Sequence, residues 1–204
     1  MREQCFVVGV AGGTGAGKST LVEDLVERIG AEKVAVLPSD AYNRDGGELS
    51  FGDRNEINYD HPEALEMDLL VADVTRLRDG HLIHRTVYDF EKHSRLHERL
   101  RVEPAPIIIL EGILILVDNR LRELMDLKVF VEAPSDLRLL RRLQRDVARR
   151  GRSVESVTKQ YLETVRPMHE RFVEPYRHHA DLEIPGYGDS DEGLRLLFRR
   201  VRER

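Results

Sequence analysis

The chain has 204 residues, 41% of them hydrophobic and 34% charged, with 32 basic against 37 acidic side chains and a formal net charge of -5. That length suits one compact domain, and the apolar fraction is enough for a core, so disorder and membrane spanning are both poor readings. The acidic balance argues against nonspecific nucleic-acid binding, and the amino-terminal residues lack the pattern of a secretory leader, which implies a cytoplasmic protein.

In chain order, hydrophobic patterning predicts a strand at 5–11, a helix at 18–29, a strand at 33–38 and a helix at 62–79 closed by Asp79-Gly80. The one cysteine, Cys5, lies in the apolar run of the first strand and reads as a buried, inert thiol. Residues 82–90 and 99–103 read as two exposed β segments around a polar bend. The runs 106–110 and 127–131 suit strands buried on both faces. An arginine-rich helix is predicted at 135–150, then a helical stretch at 153–179 with Pro167 and Pro175 as breaks, a short strand at 181–184 and a helix at 190–203. Strands alternating with helices imply the three-layer α/β class with a mostly parallel sheet. The segment 82–103 does not fit that rhythm and reads as a hairpin standing off the sheet. With no repeat and no composition break, a single domain over 1–204 is expected.

The sharpest chemical signal is Gly12-Gly13-Thr14-Gly15-Ala16-Gly17-Lys18-Ser19, a G-x-x-x-x-G-K-[ST] loop directly after a strand and directly before a helix, with Thr20 next on that helix. Such a loop wraps phosphate with backbone N–H groups, its lysine bridges the terminal phosphates and its hydroxyl reaches magnesium. In an open parallel sheet all strands point their carboxyl ends at one edge, so Asp40, after the second strand, and Glu111, after the run 106–110, meet this loop in space. Carboxylates there can hold magnesium or accept a proton from an attacking hydroxyl, although a turn residue and a solvated strand end are the plain alternatives.

Residues 138–152 hold seven arginines and one acid, Asp146. Arginine forks suit the charge on a transferring phosphoryl group, and a helix ending in Arg-Gly-Arg can act as a lid; a nucleic-acid patch and an ordinary surface helix are the alternatives. Asp60 precedes a helix that it could merely cap. Tyr88 and His93 lie on the hairpin, where they either pack or read a planar ring.

The ordered strings AGGTGAGKST, NYDHPEALE, VYDFEKHSR, IILEGIL, LKVFVEAPSDLRLLRRLQRD, RRGRS and QYLETVRPMHERFVEPYRHHADLEIP resemble the uridine kinase family, also called uridine-cytidine kinases, from about Phe6 to Pro185. The resemblance implies a P-loop kinase fold with a five-stranded sheet, helices on both faces, a hairpin flap at 82–103 and an arginine-rich lid at 138–160. It implies transfer of the γ-phosphate of ATP or GTP, with Mg2+, to the 5′-hydroxyl of uridine or cytidine in pyrimidine salvage. Carried onto this sequence, it makes Asp40 the general base and Ser19 and Glu111 magnesium holders, with Asp40 beside them. Asp60 would bind the ribose hydroxyls with Arg142, while Tyr88, His93 and Tyr59 would address the pyrimidine. Arg145, Arg150 and Arg152 would belong to the lid, Gln160 would reach the nucleoside, and the assembly would be a homotetramer. The chain departs from the family pattern at Asn43, where an aromatic is usual, and at Pro185-Gly186-Tyr187-Gly188-Asp189. A small-alcohol kinase of the phosphoribulokinase kind, or a nucleotide-dependent switch module, is the alternative.

Overall fold

The computed structural model describes residues 5–45, 57–89, 94–188 and 191–203. Its main sheet contains β1 (Phe6–Ala11), β2 (Val34–Pro38), β5 (Ile107–Gly112), β6 (Leu127–Glu132) and β7 (Leu182–Pro185) in the order β2-β5-β1-β6-β7. Every pairing in it is parallel. A separate antiparallel pair, β3 (Ile83–Asp89) with β4 (Ser94–Val102), stands off the sheet as the predicted hairpin.

Period-two alternation within the strands divides the apolar residues between two layers. Val7, Ile108, Leu110 and Phe130 pack with Leu70, Val74 and Leu77 of α2 (Met67–Arg78) and Leu121 of α3 (Asn119–Leu124). Val8, Val10, Ile107, Ile109, Val129 and Val131 pack with Leu21 and Leu25 of α1 (Lys18–Ile29) and with Leu194, Leu197 and Val201 of α6 (Asp191–Arg202). This is the three-layer α/β arrangement. No helix among the described residues is long and apolar enough to cross a membrane.

Several elements differ from the sequence expectation. The helix predicted at 62–79 is a 3-10 turn at Pro62–Ala64, an extended step at Leu65, and then α2. The extended step arises because Arg44 N–H donates to the Ala64 carbonyl (2.7 Å), Glu66 N–H donates to the Tyr42 carbonyl (2.9 Å), and Leu65 bridges Asn43. Tertiary pairing thus overrides helix propensity, and it gives Asn43 a buried structural place. The second hairpin strand begins at Ser94 instead of 99, because its side chains are largely exposed and charged and left no apolar pattern to read. The short α3 also escaped prediction; its only local signal is Asp118, whose carboxylate accepts from the N–H groups of Arg120 (2.8 Å) and Leu121 (3.3 Å).

The arginine-rich α4 (Ser135–Arg150) has its predicted bounds. After it, α5 (Val154–Gln160) continues through π-type turns at Tyr161–Val165 and His169–Val173 and ends in 3-10 turns at Glu174–His179. Pro167 does not break this rod: wider i+5 turns on either side accommodate a residue that offers no N–H. Ile109 has no solvent exposure in its layer. Ile109→Ala is expected to cost roughly 2–5 kcal/mol, measured as a shift of the urea midpoint without loss of the parallel-sheet far-UV signature.

Candidate functional site

The carboxyl ends of β1, β2 and β5 leave the sheet side by side, since Val10 pairs with Glu111 and Glu111 with Pro38. The loop after β1 closes on itself through Ala16 N–H to the Gly13 carbonyl (3.1 Å) and a buried Lys18 Nζ to the same carbonyl (3.1 Å). Gly15 has φ +75°, and a Cβ there would run into the Arg138 carbonyl, so glycine is required on both counts. The first turn of α1 has no side-chain cap, which leaves its N–H groups directed at whatever the loop holds.

A cavity of about 940 Å3 opens at this edge. It is lined by Thr14, Gly15, Gly17, Lys18, Ser19 and Thr20 of the loop, by Asp40 and Glu111, by Tyr59, Asp60 and Tyr88, and by Arg142, Arg145, Arg150, Arg152 and Gln160. Gly12, Gly13 and Ala16 complete the loop behind this wall. His93 lies outside the described residues. The structure therefore brings together residues from every segment that the sequence singled out.

Ser19 Oγ donates to Glu111 Oε1 at 3.0 Å. Burial pushes the Glu111 carboxyl up, against the opposing pull of Lys18, and burial pushes the Lys18 ammonium down, against Glu111 and Asp40. Asp60 is buried, and burial raises its carboxyl while the Arg142 guanidinium opposes the rise. Asp60 is not the cap of the turn that follows: His61 Nδ1 accepts from Glu63 N–H instead. Tyr59 and Tyr88 meet edge to face, with ring centroids 6.0 Å apart.

The arginines form a fan. Arg142 Nη1 donates to Thr14 Oγ1 (3.1 Å) and Nη2 to Gln160 Oε1 (2.9 Å), and Arg152 Nη1 donates to that same oxygen (2.5 Å). Burial lowers the pKa of Arg142 and of Arg150, the latter helped by Arg145. Guanidinium forks so gathered can pair with carboxylate or phosphate oxygens. Among the described residues no three His, Cys, Asp or Glu side chains form a metal cage. Ser19 with Glu111 suits a magnesium ion that takes most of its other ligands from phosphate and water.

Sequence reasoning assigned no individual role to Arg138, Arg141, Gly186 or His169. Arg141 Nη1 donates to the Gly186 carbonyl (2.7 Å), and Gly186 lies so close to the loop that a Cβ would meet the Ala16 carbonyl. Gly186, in the divergent segment, thereby packs on the phosphate loop. Behind Gly13 stand Arg138, bonded to the Ala133 carbonyl at 3.0 Å, and His169, whose Nε2 is 3.3 Å from Glu174. No spacing signal marks that histidine, which depends on the long-range return of the helical rod.

Residues 7–192 match the Phosphoribulokinase / Uridine kinase family. A uridine kinase of Clostridium perfringens is 43% identical over 203 residues, covering 100% of this chain and 97% of that protein. A uridine kinase of Anoxybacillus flavithermus is 44% identical over 201 residues, covering 98% and 95%. Among solved structures, phosphoribulokinase from Rhodobacter spheroides superposes with a TM-score of 0.69 at 17% identity, covering 90% of this chain and 70% of that one. D-glycerate 3-kinase from Cryptococcus neoformans superposes with a TM-score of 0.64 at 16% identity, covering 90% and 87%. These two likenesses establish the P-loop kinase fold.

Burial, followed by repulsion from Arg138, depresses His169 from 6.5 to about 4, while Glu174 and Glu170 pull the other way. The unfolded chain binds this proton more readily, so the contribution to stability is complete above pH 6.5 and fades as pH falls toward 4. His169→Gln is therefore expected to flatten the rise of the thermal midpoint between pH 4 and 6.5, read by calorimetry against the unsubstituted protein.

Proposed function

The chain belongs to the Phosphoribulokinase / Uridine kinase family, and from that premise we propose that it transfers the γ-phosphate of ATP or GTP to the 5′-hydroxyl of a pyrimidine nucleoside, uridine or cytidine. The observation that carries this reading is the meeting, in one cavity, of the phosphate loop with Asp40, Asp60 and two tyrosines. The 43–44% identity to uridine kinases over nearly the whole chain supports it.

In the proposed reaction Asp40 accepts the proton of the 5′-hydroxyl, whose oxygen attacks the γ-phosphorus as the bond to the β-phosphate oxygen breaks. The loop N–H groups and Lys18 hold the donor phosphates, with Gly12, Gly13 and Ala16 shaping the loop and Thr14 and Thr20 at its margins. Ser19 and Glu111, with Asp40 nearby, would hold Mg2+, which supplies charge neutralisation when bound. Arg145, Arg150 and Arg152 lay guanidinium charge along the transferring group, where a cation already in place costs no reorganisation at the moment of transfer. Asp60 and Arg142 address the ribose hydroxyls, a role that suits a buried acid beside a cation. Tyr59 and Tyr88 flank the pyrimidine, with His93 assigned to the same flap. Gln160 bridges Arg142 and Arg152, which links the nucleoside side of the site to the lid.

Arg85 also lines the cavity, which favours a phosphorylated sugar as the second reading. A coupled ADP-release assay with uridine, cytidine, adenosine, ribulose 5-phosphate and no acceptor separates the two. Turnover dependent on uridine or cytidine is expected, and turnover with ribulose 5-phosphate alone overturns the nucleoside assignment. Asp40→Asn is expected to lower kcat by about 10²-fold or more while leaving the Kd for ATP nearly unchanged; near-normal turnover removes Asp40 as the base.

A further inference from the structure

Asp146 has no solvent exposure and does not line the cavity, yet its carboxylate meets four arginines of the fan. Its Oδ1 accepts from Arg145 Nε at 2.8 Å and lies 3.4 Å from Arg150 Nη1. Its Oδ2 lies 3.5 Å from Arg142 Nε and 3.9 Å from Arg152 Nη1. Its main-chain carbonyl accepts from Arg152 N–H at 3.1 Å, which fixes the turn after α4.

Two of these contacts follow from helix geometry, since Arg142 and Arg150 stand four residues before and after Asp146 on one face. The contact with Arg145 does not. Adjacent residues on a helix point about 100° apart and do not ordinarily meet. The Arg145 side chain must therefore fold back across α4 to reach the carboxylate, and that fold keeps its guanidinium on the cavity wall. Without an acid there, Arg142, Arg150, Arg152 and Lys18 would repel Arg145 toward water, which already reaches about a third of its side chain (34%).

We propose that Asp146 is a positioning residue for phosphoryl transfer, holding Arg145 against the cavity so that its charge is in place before the donor phosphates arrive. The inference rests on the proposed kinase function and extends it to a residue that touches neither substrate. A purely structural acid would affect thermal stability and both substrate affinities alike. A positioning acid acts on kcat, through Arg145.

The test is a double-substitution cycle of Asp146→Asn, Arg145→Gln and the pair, with kcat and KM measured for ATP and uridine. Each single change is expected to lower kcat by about 10- to 100-fold with KM values within about threefold. The pair is expected to fall within about threefold of Arg145→Gln alone, because the effect of the carboxylate on kcat runs through Arg145. Losses that multiply in the pair overturn the proposal. Should Asp146→Asn fail to fold, the pair restores the charge balance of the fan, and its comparison with Arg145→Gln decides by the same criterion. Turnover of the unsubstituted protein reports separately on the proposed function. Inactivity with every nucleoside overturns that function and this role together, whereas normal activity with multiplying losses overturns the role of Asp146 alone.

Discussion

With β5 inserted in parallel between β1 and β2, the chain must leave all three strands at one edge. The register is tight: Ala11 faces Gly112, and Glu111 sits between Val10 and Pro38. Strands lie roughly 4.8 Å apart, so the phosphate loop after Ala11, the acid at 111 and the acid two residues past Pro38 share a space about two strand spacings wide. It is the sheet register that brings these residues together. Two apolar layers, anchored by residues such as Ile108 and Ile109, keep that register fixed.

Against this rigid edge, α4 reverses the usual rule for a surface helix. Its buried residues are Arg138, Arg142 and Asp146, while Leu140 and Val147 face solvent. A stripe of charge turned inward is costly unless anions meet it, because desolvating an unpaired cation outweighs most packing gains. Asp146 and Gln160 meet part of that demand, and Arg142, Arg145, Arg150 and Arg152 also face the cavity. Breaking a buried ion pair by removing one partner typically costs on the order of 3–5 kcal/mol. The fan is therefore held in place by its own contacts with Asp146, Gln160 and Thr14.

The parts of the fold that were legible in the sequence were those with a local cause. The strand–glycine loop–helix signature marks residues 6–29 unaided, and the doubly buried strands announce themselves as apolar runs, β6 interrupted at Lys128. The reach of β4 was hidden because its exposed charges show no alternation, and the split of 62–79 was hidden because pairing with residues 42–44 decides it. In the site, Lys18, Asp40 and Glu111 could be grouped by the topology rule for parallel sheets. The bends that carry Tyr59, Asp60 and Tyr88 to the same cavity obey no such rule, and family resemblance supplied that grouping. Asp146 stood in plain view as the lone acid of an arginine run, but its meaning depends on Arg145 folding back across the helix, which no sequence spacing reveals.

The most direct measurement is a crystal structure of the protein with uridine and a non-hydrolysable ATP analogue. The 5′-oxygen should lie within hydrogen-bond reach of the Asp40 carboxylate, roughly 2.6–3.2 Å, in line with the γ-phosphorus, with the ribose hydroxyls on Asp60. A nucleoside bound away from Asp40 and Asp60, or a triphosphate outside the Lys18 loop, would contradict the single-cavity mechanism.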